Sequence, residues 1–318
     1  MFPRCWLPAM VYLQVMCSHA AGCTQEVYLQ TILPKVGWAV IPVLVHVKPD
    51  GTEIFIQDSS DIVAAVEQLH PALPAFPEDP TQRAFCHLVE LLADQWLVLP
   101  AMHFRWNFAD QRKFLEHEWG LATNPHLGIS ERTELARSSM KMFENAAVLV
   151  GASPEMAPPI ERSFTRLLEL LEAHFSQHAF LLAGDRPTMA DFAMMGPFYA
   201  HLYRDPVPGL VMRTRAPLVS SWVERCMRIP SAVESAERRS VQSTSPRREV
   251  TPTGIAVVTH MLSEYAPVLA RAAGLFREAG FPDDAQVPRS LGMVEYSLGG
   301  YPAPPHAPFP SPHGRYPP

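Results

Sequence analysis

The sequence predicts an α/β + all-α protein, a small mixed module followed by an all-helical domain. Three observations predict it. Two short β runs lie close together before residue 60, long stretches with apolar residues three and four apart fill the middle, and prolines punctuate the joints. At 318 residues the chain is long enough for about two domains of roughly 150 residues each. Its hydrophobic share of 47% and charged share of 18% are those of a folded protein. The net charge of −6, with no aromatic-studded basic stripe, gives no reason to expect a nucleic-acid partner.

Each element has its own signal. Gln25–Leu33 reads as a short helix stopped by Pro34. Strands follow at about 39–46 and 53–57, joined by Lys48-Pro-Asp-Gly51, whose Asp-Gly tip favours a hairpin and hence antiparallel pairing. Pro42 lies inside the apolar run Val40-Ile-Pro-Val-Leu-Val45 and donates no N–H, so it marks an edge, a bulge or a special peptide bond. The second strand ends at Asp58-Ser59, and Asp58, Ser59 or Ser60 can cap the helix carrying Ile62, Val63, Val66 and Leu69. That helix closes at His70-Pro71, and the four prolines of 71–80 read as a linker.

Helical periodicity predicts one helix over Arg83–Leu99 and others over Ser130–Val150, Ile160–Phe175, Thr188–Tyr203, Pro217–Met227 and about Gly254–Ala279. The resulting layout is a divergent start (1–24), a partial α/β module (25–72), a helical domain (80–235), a polar flexible loop (236–252), a helical extension (253–300) and a tail (301–318). With 8 prolines in its 18 residues, that tail is expected to be extended.

Cys5, Cys17, Cys23, Cys86 and Cys226 form no CxxC pair and no zinc pattern, so a reduced cytoplasmic setting is expected and no metal. The segment from Met1 to Ala21 loosely mimics a signal peptide, but Pro8 interrupts it and only one positive charge precedes its apolar run. A secreted protein linked through Cys5, Cys17 and Cys23 is the weaker class. Elsewhere no apolar stretch is expected to reach the roughly 18 residues of a membrane span. His174 and His178 have the spacing of two metal ligands on a helix but no third partner, so a solvated helix end is expected.

Thr188-Met-Ala-Asp191 has the form of a capping box, in which Thr188 and Asp191 satisfy each other's backbone amides. Gly184-Asp-Arg-Pro-Thr-Met-Ala-Asp-Phe192, together with the proline-bearing strand and Asp58-Ser59, resembles the glutathione S-transferase superfamily. The resemblance covers about residues 25–300. Pro100-Ala-Met-His-Phe-Arg-Trp106 and Gly196-Pro-Phe-Tyr-Ala-His-Leu-Tyr-Arg-Asp-Pro206 look like an uncharacterised bacterial-type subgroup of it.

The resemblance implies a thioredoxin-like N-terminal domain and an all-helical glutathione-transferase C-terminal domain. It implies glutathione as co-substrate and an electrophilic small molecule as partner, with a homodimer left open and no membrane. It implies a cis bond before Pro42 that presents the Ile41 backbone to the peptide, with Asp58 and Ser59 gripping the γ-glutamyl end. A helix N-terminus suits such a carboxylate. His103, Arg105 and Trp106 would line the second pocket, or Arg105 would pair structurally with Glu90 or Asp94. Thr188 and Asp191 would be structural. A complete βαβ start needs roughly 29 residues, whereas 24 precede Gln25, so the first βαβ is read as truncated or replaced. Tyr12, Cys17, Ser18 and Cys23 are the stand-ins for the sulfur-activating group, and the catalytic residue is left unassigned. The rival to an enzyme is a non-catalytic relative acting as a binding or structural module.

Overall fold

The computed structural model describes residues 31–36, 42–69, 74–236 and 249–278. The readings of residues 25–30, of the divergent start and its four stand-ins, of Ile41, of 237–248 and of the tail lie outside these residues.

A two-stranded antiparallel sheet near the N-terminus is followed by a mostly helical region, the layout predicted. Strand β1 spans Val43–Val47 and β2 spans Glu53–Gln57, with Leu44 opposite Ile56 and His46 opposite Ile54. Between them Gly51 takes φ +85°, a left-handed conformation that glycine adopts without steric penalty, and its N–H donates to the Lys48 carbonyl at 2.9 Å. Helix α1 (Ser59–Leu69) buries Ile62, Val63 and Val66. The linker reading of 71–80 gains a partner in Glu67, whose carboxylate accepts the amides of Ala75 at 2.6 Å and Phe76 at 2.9 Å.

The remaining helices are α2 (Pro80–Gln95), α3 (Val98–Trp106), α4 (Arg112–Thr123), α5 (Ile129–Leu149), α6 (Ala157–Phe175), α7 (Met189–Pro197), α8 (Pro206–Arg215), α9 (Pro217–Ala236) and α10 (Pro252–Glu278). A π-helical segment, Phe198–Tyr203, continues α7. Two compact units divide these residues. One comprises Met1–Glu90, His178–Ala200 and Ser221–Val250; the other comprises Leu91–Gln177, His201–Ser220 and Thr251–Pro318. The first has Val66, Phe85, Phe192, Phe198 and Trp222 at its centre, and the second Leu92, Leu99, Ile160, Phe164 and Met261.

Several expectations are corrected. The single helix over Arg83–Leu99 is two, broken where Trp96 and Leu97 both donate to the Leu92 carbonyl. Pro100 has no N–H for the Trp96 carbonyl, and its ring crowds that turn. The helix over Thr188–Tyr203 widens from α to π after Pro197, for the same reason. Helices α4 and α8 are additions to the predicted set. Residues 249–252 are anchored, with Glu249 bridging Ala183 and Thr251 accepting the Gly254 amide at 3.1 Å as the N-cap of α10. His174 is not a solvated helix end but fully buried, its Nδ1 2.8 Å from Thr253 Oγ1. Among the described residues no cluster of three metal-ligating side chains occurs. The stretch Pro80–Trp106 is long and apolar enough to cross a membrane, contrary to expectation, yet 61% of its most apolar window is buried within the protein.

Candidate functional site

At the start of α1, Asp58 takes φ +78°, a conformation that aspartate tolerates better than most residues. Its Oδ1 accepts the Ser60 amide at 2.9 Å and its carbonyl accepts the Ile62 amide at 2.9 Å, so Asp58 is the cap among the three candidates. Ser60 Oγ–H donates to Glu90 Oε1 at 2.9 Å, and His87 Nδ1 lies 3.3 Å from Glu90 Oε2. His87 in turn stacks on Phe76 at 4.4 Å. That leaves half-buried Ser59, whose hydroxyl has no hydrogen-bond partner among the described residues and whose amide opens the first turn.

The strand register brings Pro42 into this picture. Val43 pairs with Gln57, so the register carried one residue further sets Pro42 level with Asp58. The proline and Asp58, 16 positions apart in the chain, therefore flank the last strand pair of the hairpin. The peptide bond before Pro42 involves Ile41 and falls outside the described residues.

The segment with His103, Arg105 and Trp106 is α3, and its polar atoms are turned inward. His103 is 1% exposed; Asn107 Nδ2–H donates to its Nδ1 at 2.9 Å, which leaves Nε2–H to donate to Glu161 Oε1 at 3.1 Å. Burial lowers the pKa of this imidazole and Glu161 opposes the shift. The buried carboxylate that Arg105 grips is Asp205, rather than the expected Glu90 or Asp94. Its Nε and Nη2 donate to Asp205 Oδ2 and Oδ1 at 2.9 and 2.8 Å, a bidentate pair across 100 residues. Gln111 Nε2–H adds a third bond to Asp205 Oδ2 at 3.2 Å. The Trp106 indole packs with Phe114 and Trp119 against Leu115, Ala136 and Met140.

Asp191 caps α7 and does more. Its carboxylate accepts the Thr188 amide at 3.0 Å, the Leu181 amide at 2.9 Å and the Trp222 indole N–H at 3.0 Å, with no exposed surface. Burial raises its pKa above the ordinary 3.8, against the pull of these bonds. Sequence reasoning missed Glu90 as the partner of Ser60, Asp205 and Trp222. Only Asp205 carried a signal, since Asp-Pro at 205–206 is a helix cap followed by proline at the first helical position.

The helical region thus contains a capping box built into the packed core, and the N-terminal region a hairpin leading into a capped helix. Residues 154–230, from just before α6 into α9, match the family described as glutathione S-transferase, C-terminal domain. The matched span includes Thr188 and Asp191, the two residues of the capping box. Searches of curated proteins and of solved structures gave no match.

Proposed function

We propose that the protein binds glutathione at the start of α1 and directs its thiol to an electrophilic small molecule. The supporting observation is that Pro42 and Asp58 flank the strand pair Val43–Gln57 beside the Ser59 hydroxyl, at a helix start that suits a carboxylate such as the γ-glutamyl end. The glutathione thiol would release its proton to solvent, and the thiolate would form an S–C bond as the carbon–leaving-group bond of the electrophile breaks and the group departs as an anion. In this reading His103 and Arg105 support the framework, because their polar atoms are already hydrogen-bonded. A cytoplasmic setting belongs to the reading, in keeping with the buried thiols of Cys86 and Cys226.

The test is retention on immobilised glutathione, followed by glutathione conjugation of a chlorodinitrobenzene. Wild type should be retained, and Ser59→Ala should weaken binding by about tenfold, the loss of one charge-assisted hydrogen bond. No retention of wild type, or undiminished retention of Ser59→Ala, overturns the site. Retention without conjugation would select the non-catalytic binding module.

A further inference from the structure

We propose that the π-helical segment Phe198–Tyr203 and its junction with α8 form an acid-sensitive joint, with His201 as the group that releases it. Three observations carry this. First, the segment is π-helical rather than α-helical, a wide turn with poor backbone geometry that is rare and short in proteins. The bond that closes it, Asp205 N–H to the His201 carbonyl, is long at 3.3 Å. Second, His201 Nδ1 is buried and has no hydrogen-bond partner among the described residues. Third, the carboxylate closest in sequence is fully taken, because Asp205 already accepts Arg105 twice and Gln111 once.

The charged and titratable groups of the elements around the joint include His103 and Arg105 on α3, Asp110 just before α4, Asp205 ahead of α8, Arg213 and Arg215 on α8, and Arg204 paired with Glu118 of α4. Arg105 and Asp205 cancel, as do Arg204 and Glu118, and Arg213 lies over the Tyr203 ring at 5.4 Å. A proton on half-buried His201 therefore leaves its buried Nδ1–H without an acceptor among the described residues. Burial and Arg105 accordingly hold its pKa well below the ordinary 6.5.

The direction follows from linkage. Above about pH 7 the side chain is neutral whether folded or unfolded and changes nothing. As pH falls through about 6.5, the opened chain takes up a proton that the closed joint refuses, so opening becomes easier. Burial lowers the His103 pKa as well, so acid also loosens the contacts of α3, and the His201→Gln variant separates the two contributions.

The experiment is hydrogen–deuterium exchange on the full chain between about pH 7.5 and about pH 5, expressed as protection factors so that intrinsic exchange cancels. Protection over residues 198–215 should fall about tenfold or more on acidification, while α5, which carries no histidine, keeps its protection. His201→Gln, which cannot take up a proton, should hold its protection constant. A fall spread evenly over both regions, or one that persists in His201→Gln, overturns the proposal. Should that variant fail to fold, the imidazole resonances of His201 in wild type decide. Titration near 6.5 with no change in exchange refutes the joint, and absence of titration until the segment opens supports it.

Discussion

Replacement of Asp191 by alanine should be among the most damaging single changes in the helical domain. The carboxylate is unexposed and accepts three buried N–H donors, the amides of Leu181 and Thr188 and the Trp222 indole, besides a longer bond from the Thr188 hydroxyl at 3.4 Å. Each donor stranded without an acceptor costs about 1–3 kcal/mol, or about 3–9 kcal/mol for three. Two effects pull the figure down. Water entering the vacated space satisfies part of the loss, and the burial that raises the Asp191 pKa is itself a penalty that alanine removes. A loss of about 4 kcal/mol is therefore expected. Asparagine keeps the shape and one acceptor but turns an NH2 toward another donor, so about 2 kcal/mol should be lost. At about 2–4 °C per kcal/mol, alanine lowers Tm by roughly 8–16 °C and asparagine by about half as much. Calorimetry with far-ultraviolet circular dichroism measures both variants at neutral pH. Alanine within about 1 kcal/mol of wild type would reduce Asp191 to an ordinary helix cap and refute the reasoning.

Arg105→Met leaves unexposed Asp205 with Gln111 as its remaining side-chain donor among the described residues, and the loss expected on urea denaturation is about 3–5 kcal/mol. Arg105→Lys should recover only part, because an ammonium cannot reproduce the fork; full recovery would show that charge alone matters. At Gly209 an added Cβ would lie 2.4 Å from the Tyr203 carbonyl oxygen, which is backbone and cannot swing aside. Gly209→Ala should therefore lower stability by about 1–3 kcal/mol. An unchanged melting temperature would mean that α8 shifts freely against the π segment.

What the sequence made legible was whatever is written within a few residues. The Asp-Gly turn, the short apolar run of β2, the capping box at Thr188 and the periodicity of α6 are all local, and the predicted ends of β2 and α6 lie close to those observed. The errors have local causes of another kind. Pro100 and Pro197 sit inside helical patterns, and periodicity does not report whether the chain breaks, as at Trp96-Leu97, or widens into a π turn, as after Pro197. Helix α4 escapes the periodicity test because it buries only Leu115, Glu116 and Gly120, so it has no apolar stripe to count. Gly120 is buried for its size: a Cβ there would sit 2.8 Å from the Arg132 carbonyl, so α4 and α5 meet backbone to backbone.

The partners of the charged residues were the part that sequence could not supply. Sequence proximity points Arg105 to Glu90 or Asp94, carboxylates 15 and 11 positions away. The observed partner lies 100 positions away, and Glu90 is held instead by Ser60 and His87. Loop closure explains why this is hard to foresee: its entropy grows only with the logarithm of separation, so distance along the chain scarcely penalises a distant pairing. Geometry and burial decide among the acceptors, and Asp205 wins because its place before Pro206 fixes it at a helix start, where its carboxylate can face the Arg105 fork. The same logic protects the reading of α1. Pro42 and Asp58 flank the last strand pair of a hairpin whose turn is written in the sequence, so their placement depends on a local signal rather than on a distant partner. A substitution that shifts that register by one residue, rather than one that removes Asp58, is therefore the change that would separate them.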